Sequence, residues 1–586
     1  MQKHAEQAES TRKKQSFLHG ALILTIAVVI VKVIGALFKI PLTWTIGTVG
    51  IGYFNTAYSV YGPIFSLATA GFPIAIARMV SENYARQRFR DIRRIHRASV
   101  FIFLITGSVG FLVMLVGAPF YVNYVLKDSS SLLSMFFLAP SILFCCLSAI
   151  YRGYYEGLRN MYPTAVSEVI EAVCKLVIGL TAAILIVQTG MNQYHATGTV
   201  FGLAMQSEEY AKNATLPYAA AGAIFGVSVG SLGSYLYLLI QHKRKGDGIT
   251  REQLAASCPP YTMRNTVVKL IKTAVPIGIG AVAINVAALI DTTFLQGRIG
   301  DIMRENPTAL LSMYQGMIPK IYLKTDAVPT YLYGCYSLAL ILFGLIPAFL
   351  QAFSISALPN VTAAWTRGIP GEIKKSVEGV LRISALVSLP AGLGMSVLAR
   401  PIISLIYRTN DEIASRVLVI MGIGAIFASL SAPVFSMLQA AGRVDLPVKL
   451  LLAGLTIKAL LNYFLTGIPE INVLGAAIGT LVCYAFITVA AVVLLCRVTH
   501  VIPNFLSAVI KPLLASLFCA AAAYAAQGFA VRVMSDQLAT CAAILAACAV
   551  YVVALFCFRA ICREDVIMLP KGQKIVKILE KHHLIG

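Results

Sequence analysis

Apolar stretches of about 20 residues recur along this chain from Leu18 to Cys562. Each is long enough to cross the roughly 30 Å hydrocarbon core of a bilayer as an α-helix. With 58% hydrophobic and only 13% charged residues over 586 positions, and a mean hydropathy of +0.77, the chain is poorer in charge than a soluble protein of its length. The expected class is an all-α polytopic membrane protein. The opening MQKHAEQAESTRKKQSF is polar and the first apolar run is too long for a signal-peptide core, so no cleavable signal is expected.

Several function classes find no support. Twelve cysteines are present, but none forms a C-x-x-C pair and most sit inside apolar runs, as Cys145, Cys146, Cys174, Cys519 and Cys548 do. They read as small buried apolar residues, and neither a metal site nor a disulfide framework is expected. There is no H-E-x-x-H and no Walker-type loop, and Gly50-Ile51-Gly52 lies between spans. No cofactor is expected. Basic clusters such as RQRFRDIRRIHR (86–97) flank spans and lack interleaved aromatics, which argues against nucleic acid and for orientation signals beside lipid headgroups.

Fourteen helices are expected, at about 18–42, 52–77, 99–123, 132–151, 164–187, 216–241, 270–295, 331–355, 383–400, 417–440, 447–466, 473–496, 508–526 and 538–558. With the N-terminus cytoplasmic, 34 of the 48 lysines and arginines fall on the inner side, 10 on the outer side and four inside spans. That bias predicts fourteen spans with both termini cytoplasmic. Landmarks recur: FSLATAGFP (65–73) as FSISALP (353–359), GAPFYVNYVL (117–126) as ARPIISLIY (399–407), and YYEGLRNMYP (154–163) as MLQAAGRVDLP (437–447). Six helices separate equivalent positions, which makes a parallel repeat. The organisation expected is a tail (1–17), a six-helix lobe (18–243), a linker (244–269), a second six-helix lobe (270–497), two further helices (498–562) and a tail (563–586), with a central cleft between the lobes. Gly222, Gly226 and Gly230 share one face of the sixth helix and should permit close packing.

Seven ionisable residues fall within spans: Lys32, Lys39, Glu168, Glu171, Lys175, Asp291 and Lys458. A lysine at the centre of a span costs roughly 2.5–3.5 kcal/mol, so four facing lipid would cost on the order of 10–14 kcal/mol, comparable with total folding stability. Lys32, about 21 Å along its helix, is past the midplane, whereas Lys39 is near the outer rim, where it lines the path or snorkels. Lys175 and Lys458 lie about 17–18 Å beyond equivalent prolines. Glu171 stands four residues before Lys175 and Glu168 seven, so an ion pair within the lobe competes with a cleft role. Asp291 is a pairing or coupling candidate. Lys32 and Lys458 have no counter-charge on their own helices and are the best candidates for lining the cleft. Four lysines against three carboxylates predict an electropositive cleft, suited to a phosphate-bearing substrate.

GALILTIAVVIVKVIGALFKIPL (20–42), GIGYFNTAYSVYGPIFSLATAGFPIAIARMVSE (50–82) and YRGYYEGLRNMYPTAVSEVIEAVCKL (151–176) resemble the polysaccharide-transporter branch of the multidrug/oligosaccharidyl-lipid/polysaccharide flippase superfamily. The likeness is to its stage V sporulation B and Gram-positive lipid II flippase groups, and it extends over nearly the whole chain. It implies alternating access and a cationic cavity. The implied cargo is an undecaprenyl-pyrophosphate-linked glycan, such as lipid II, moved from the inner to the outer leaflet. The helices near 508–558 would form a groove for the isoprenoid tail. Lys32 and Lys39 stand where arginine is frequent in relatives. Expected partners are the lipid-linked oligosaccharide and the bilayer, with cell-wall synthases and a coupling ion (Na+ or H+) as further candidates. The alternative is a cation-coupled multidrug or metabolite antiporter centred on Asp291. An enzyme of the lipid-linked sugar pathway is disfavoured, because the largest outer loop, 296–330, holds only the scattered acids Asp301, Glu305 and Asp326.

Overall fold

A computed structural model describes residues 17–69, 71–367 and 369–560; the expected terminal tails lie almost wholly outside these. Twelve helices among the described residues are long and apolar enough to cross a membrane. The chain divides between Leu289 and Ile290 into two compact units. That division falls inside the seventh expected span, not in the 244–269 linker.

The first helix of unit 1, α1 (Phe17–Thr69), contains one non-helical residue, Gly47, at φ 63°. Phe38 and Phe54 flank it with ring centroids 5.9 Å apart. Sixteen residues along a straight helix would separate them by about 24 Å, so α1 is a hairpin of two spans. The connector expected near 43–51 is therefore reduced to a single turn residue. At this φ a side chain is disfavoured and glycine is not. The hairpin and the 43-residue helix described below bring the span count to about fourteen.

Unit 1 continues through α2 (Phe72–Ala85), α3 (Phe89–Phe120), α4 (Leu132–Gly157), α5 (Tyr162–Cys174), a π-helical turn (Lys175–Gly179), α6 (Leu180–Thr197) and α7 (Glu208–Lys245). A two-stranded antiparallel ribbon, β1 (Thr199–Val200) with β2 (Leu203–Ala204), pairs Thr199 with Ala204 between α6 and α7. The glycine face of α7 packs as its spacing predicts: a Cβ on Gly226 would lie 2.3 Å from Gly179 Cα, and one on Gly230 2.7 Å from the Glu171 carbonyl. A Cβ on Gly153 of α4 would lie as close to the Pro73 carbonyl of α2, at 2.5 Å. After a short α8 (Arg251–Ala256), the long α9 (Met263–Glu305) begins in unit 1 and ends in unit 2. Asn285 donates to Ser66 Oγ (2.7 Å) and Lys269 pairs with Glu82 (3.2 Å), both within unit 1.

Unit 2 comprises the end of α9, two short helices α10 (Pro307–Met313) and α11 (Lys320–Lys324), then α12 (Val328–Phe343), α13 (Leu345–Arg367), α14 (Pro370–Val397), α15 (Ala399–Tyr407), α16 (Glu412–Ala440), α17 (Asp445–Thr466), α18 (Val473–Thr499), α19 (Lys511–Ala530) and α20 (Asp536–Cys557). Its centre is α16, packed on α13, α14 and α18. Gly392 of α14 and Gly422 of α16 let two backbones touch, since a Cβ on Gly392 would lie 2.6 Å from the Gly422 carbonyl. The paired α19 and α20 join through α19 lying along α14.

Candidate substrate cavity

A cavity of about 750 Å3 opens within unit 1. The α1 hairpin supplies one wall as an aromatic ladder. Tyr58, Tyr61 and Phe65 line the cavity, with Tyr58 4.9 Å by centroid from the buried Phe54 behind it and Tyr61 stacked on Phe65 at 5.4 Å and 6°. These rings fall at spacings of three and four residues and so share one helix face. Opposite stand Cys145 and Arg152 of α4, Glu168 and Glu171 of α5, Lys175 at the π-helical turn and Ser231 of α7.

Arg152 is fixed inside this cavity. It contacts Glu171 Oε2 at 2.8 Å and donates to Ser167 Oγ (3.0 Å) and Ser234 Oγ (2.9 Å). Glu171 therefore bonds across helices to Arg152 and does not form the expected pair with Lys175 four residues on. The π-helical turn beginning at Lys175 carries its ammonium instead over the rings of Phe38 and Tyr58, 5.0 and 5.2 Å from the centroids. Such geometry stabilises a cation by about 0.5–2 kcal/mol without consuming its charge. Among the described residues Lys175 has no ion-pair partner. Lys39, half-buried on α1, is not among the residues that line the cavity.

The sign of this cavity differs from the simple expectation. Arg152 and Lys175 face three carboxylates, Glu156, Glu168 and Glu171, so the lining is mixed and not uniformly cationic. Glu168 has no ion-pair partner among the described residues. Lys32 is exposed and does not line the cavity, although its neighbours Val31, Ile34 and Gly35 do.

Lys458 and Asp291 meet in unit 2, where they form a closed pair at 2.7 Å with side-chain exposures of 6% and 3%. Asn462 donates to Asp291 Oδ1 (2.7 Å) and Tyr336 donates to Oδ2 (2.8 Å), with Thr480 Oγ1 3.2 Å from the same phenol. Lys458 thus has a counter-charge, brought by α9 from 167 residues away. It is not the free equivalent of Lys175 that register suggested.

Residues 17–359, more than half of the chain, match the polysaccharide biosynthesis protein family. The chain belongs to that family. A second match, to the MatE family, covers residues 333–464. Among relatives of this family member, the lipid II flippase MurJ of Bacillus subtilis (strain 168) is 24% identical over 494 residues, which are 80% of this chain and 82% of that protein. Stage V sporulation protein B of the same organism is 28% identical over 236 residues, 40% of each chain. Of solved structures, the lipid II flippase MurJ in an inward closed conformation covers 92% of this chain and 98% of its own, with a TM-score of 0.58 at 14% identity. A multidrug resistance MATE family transporter in an inward-facing conformation covers 79% and 95%, with a TM-score of 0.56 at 10% identity. The fold is that of the superfamily shared by these proteins, and this family member is a multi-pass membrane protein.

Sequence reasoning missed Arg152 and Glu156 as cavity residues. Arg152 stands at the end of an apolar run, where a basic residue reads as an orientation charge. The one available signal was its spacing: Arg152 and Glu156 lie one helical turn apart beside the Gly153–Gly157 face that α4 presents to α2.

Proposed function

We propose that the protein is a flippase carrying an undecaprenyl-pyrophosphate-linked glycan, lipid II or a related polysaccharide precursor, from the inner to the outer leaflet by alternating access. Lys175 carries this reading: an ammonium held over two aromatic faces, without a carboxylate partner among the described residues, in a cavity of about 750 Å3. A pyrophosphate leaving water needs fixed positive charge in exchange. Lys175 and Lys39 can supply that charge while Arg152 stays engaged by Glu171. The mixed lining supports a glycan over a bare phosphate. Tyr58, Tyr61 and Phe65 offer flat faces to sugar rings, and Glu156 and Glu168 offer acceptors to sugar hydroxyls. The likeness to a lipid II flippase over four-fifths of the chain supports the same substrate class. In this reading the protein sits in the bacterial plasma membrane with both termini cytoplasmic, in two parallel six-helix lobes followed by two helices. Lys32 lines the path outside the unit 1 cavity, and cell-wall synthases and a coupling ion (Na+ or H+) are partners.

The test is outer-leaflet exposure of lipid II in cells depleted of this protein and lacking another lipid II flippase. Exposure should fall on depletion and return with the wild-type gene. Lys175→Met, expressed at wild-type level, should not restore it, and full restoration by that variant would remove the cavity assignment.

The second reading, a cation-coupled drug or metabolite antiporter, draws on the MatE match in unit 2 and on the buried carboxylate of Asp291. It predicts a drug-resistance phenotype that disappears in Asp291→Asn while lipid II exposure stays unchanged. The Lys458 ammonium 2.7 Å from Asp291 neutralises that carboxylate and weighs against a free cation there.

A further inference from the structure

Unit 1 holds a second polar pocket, of about 230 Å3, that the proposed transport path does not use. It lies where α3 begins and α7 ends, lined by Arg93, His96, Arg97, Tyr154, His242 and Asp247. The imidazoles of His96 and His242 stack at 5.0 Å and 17°, with Tyr151 and Tyr154 set edgewise against them. His96 Nε2 is buried and has no hydrogen-bond partner among the described residues. The Tyr155 hydroxyl lies 3.1 Å from both His242 Nδ1 and the Gly246 carbonyl. Its single proton goes to the carbonyl, so its oxygen accepts from His242 Nδ1–H. That assignment, inferred from the network, leaves Nε2 of His242 as its open edge.

One carboxylate enters the pocket, and its oxygens are occupied. Asp247 Oδ2 accepts from Arg93 Nε and from the Tyr154 hydroxyl, each at 3.1 Å, while Oδ1 accepts the Ile249 N–H at 3.0 Å. Arg97 is exposed and has no ion-pair partner among the described residues. The Arg97 guanidinium and the rings of His96 and His242 thus line a space smaller than the roughly 300–1,000 Å3 of drug-sized sites. Two stacked imidazoles repel each other when both are protonated, and an anion against them offsets that repulsion. A metal ion is disfavoured by the arginines, and no group of three or more metal-ligating side chains occurs among the described residues.

We propose that this pocket binds a phosphate group, either an anionic lipid headgroup or free phosphate. Arg97 supplies the fixed charge, and a phosphate lying against the two rings favours the protonated, donating form of His96 and His242. The groups that set this response are Arg93 and Arg97 on α3, the three tyrosines of α4, His242 on α7 and Asp247 beyond it. The proposal is independent of the flippase reading.

Thermal unfolding of the purified full chain in detergent, titrated with inorganic phosphate at pH 6 and pH 8, tests it. Sulfate, whose charge is constant over that range, controls for the titration of phosphate itself. In parallel, native mass spectrometry follows lipid retention after reconstitution in phosphatidylglycerol or phosphatidylcholine nanodiscs. Stabilisation by both ions, tighter at pH 6, assigns free phosphate; selective retention of phosphatidylglycerol assigns a headgroup. In either case Arg97→Gln and His96→Gln should weaken binding by roughly tenfold, the loss of one charge-assisted hydrogen bond. Arg97 is exposed, so its variant keeps the test valid if His96→Gln fails to fold. Neither stabilisation nor selective retention, or equal responses in wild type and Arg97→Gln, would overturn the proposal.

Discussion

Replacing Lys458 by Met should destabilise unit 2 far more than replacing Lys458 and Asp291 together. Breaking a buried ion pair from one side costs about 3–5 kcal/mol, because the other charge stays buried without compensation. In Lys458→Met the Asp291 carboxylate keeps the hydrogen bonds from Asn462 and Tyr336, which places the loss near the lower end, about 3 kcal/mol. In Asp291→Asn the ammonium loses its one counter-charge, which places the loss near 5 kcal/mol. Independent effects would sum to about 8 kcal/mol in the double variant. Lys458→Met with Asp291→Asn leaves no buried charge, and the new amide can still accept from Asn462 and pair with Tyr336. Its expected cost is about 1–2 kcal/mol, on the scale of one weakened hydrogen bond. Equilibrium unfolding of the four proteins in detergent measures the coupling. Additivity within about 0.5 kcal/mol would refute the pair as a closed neutral unit.

Gly226→Val should prevent α7 from seating on the π-helical turn, since its Cβ would lie 2.3 Å from backbone; a cost beyond the usual 1–3 kcal/mol of overpacking should appear as lost folded protein in size-exclusion chromatography. Gly47→Ala meets no atom within 4 Å, so its cost is conformational alone, about 1–2 kcal/mol by thermal unfolding. Burial opposes charge on Asp247, but hydrogen bonds from Arg93, the Ile249 N–H and Tyr154 hold its carboxyl below the usual carboxylate range. Its stabilisation is then complete above the unfolded value of about 3.9 and lost as pH falls through the lower folded value. Hydrogen exchange at residues 247–250 should accordingly be protected equally at pH 8 and pH 5 and lose protection only in stronger acid. Asp247→Asn should lower that protection at neutral pH.

What the sequence made legible were features written in local spacing. The glycine face of α7 follows from periodicity within one helix, and the number of spans from the length of the apolar runs. What it hid were partners chosen across helices. Glu171, one turn from Lys175, bonds to Arg152 on α4, while Lys175, at the start of a π-helical turn, lies over Phe38 and Tyr58. Lys458 looked unpaired because Asp291 lies 167 residues earlier. Arg152 was counted as an orientation charge because hydropathy locates the end of a span but not the direction of its last side chains.

The one-residue turn at Gly47 bears on how this chain enters a membrane. Two spans joined by a single glycine leave no polar connector to be carried across, so they can insert together as a helical hairpin. Within that turn there is also no connector for a protease to cut or for an inserted epitope to occupy. A tag placed at 47 would force the Phe38–Phe54 contact apart, and with it the aromatic wall of the cavity.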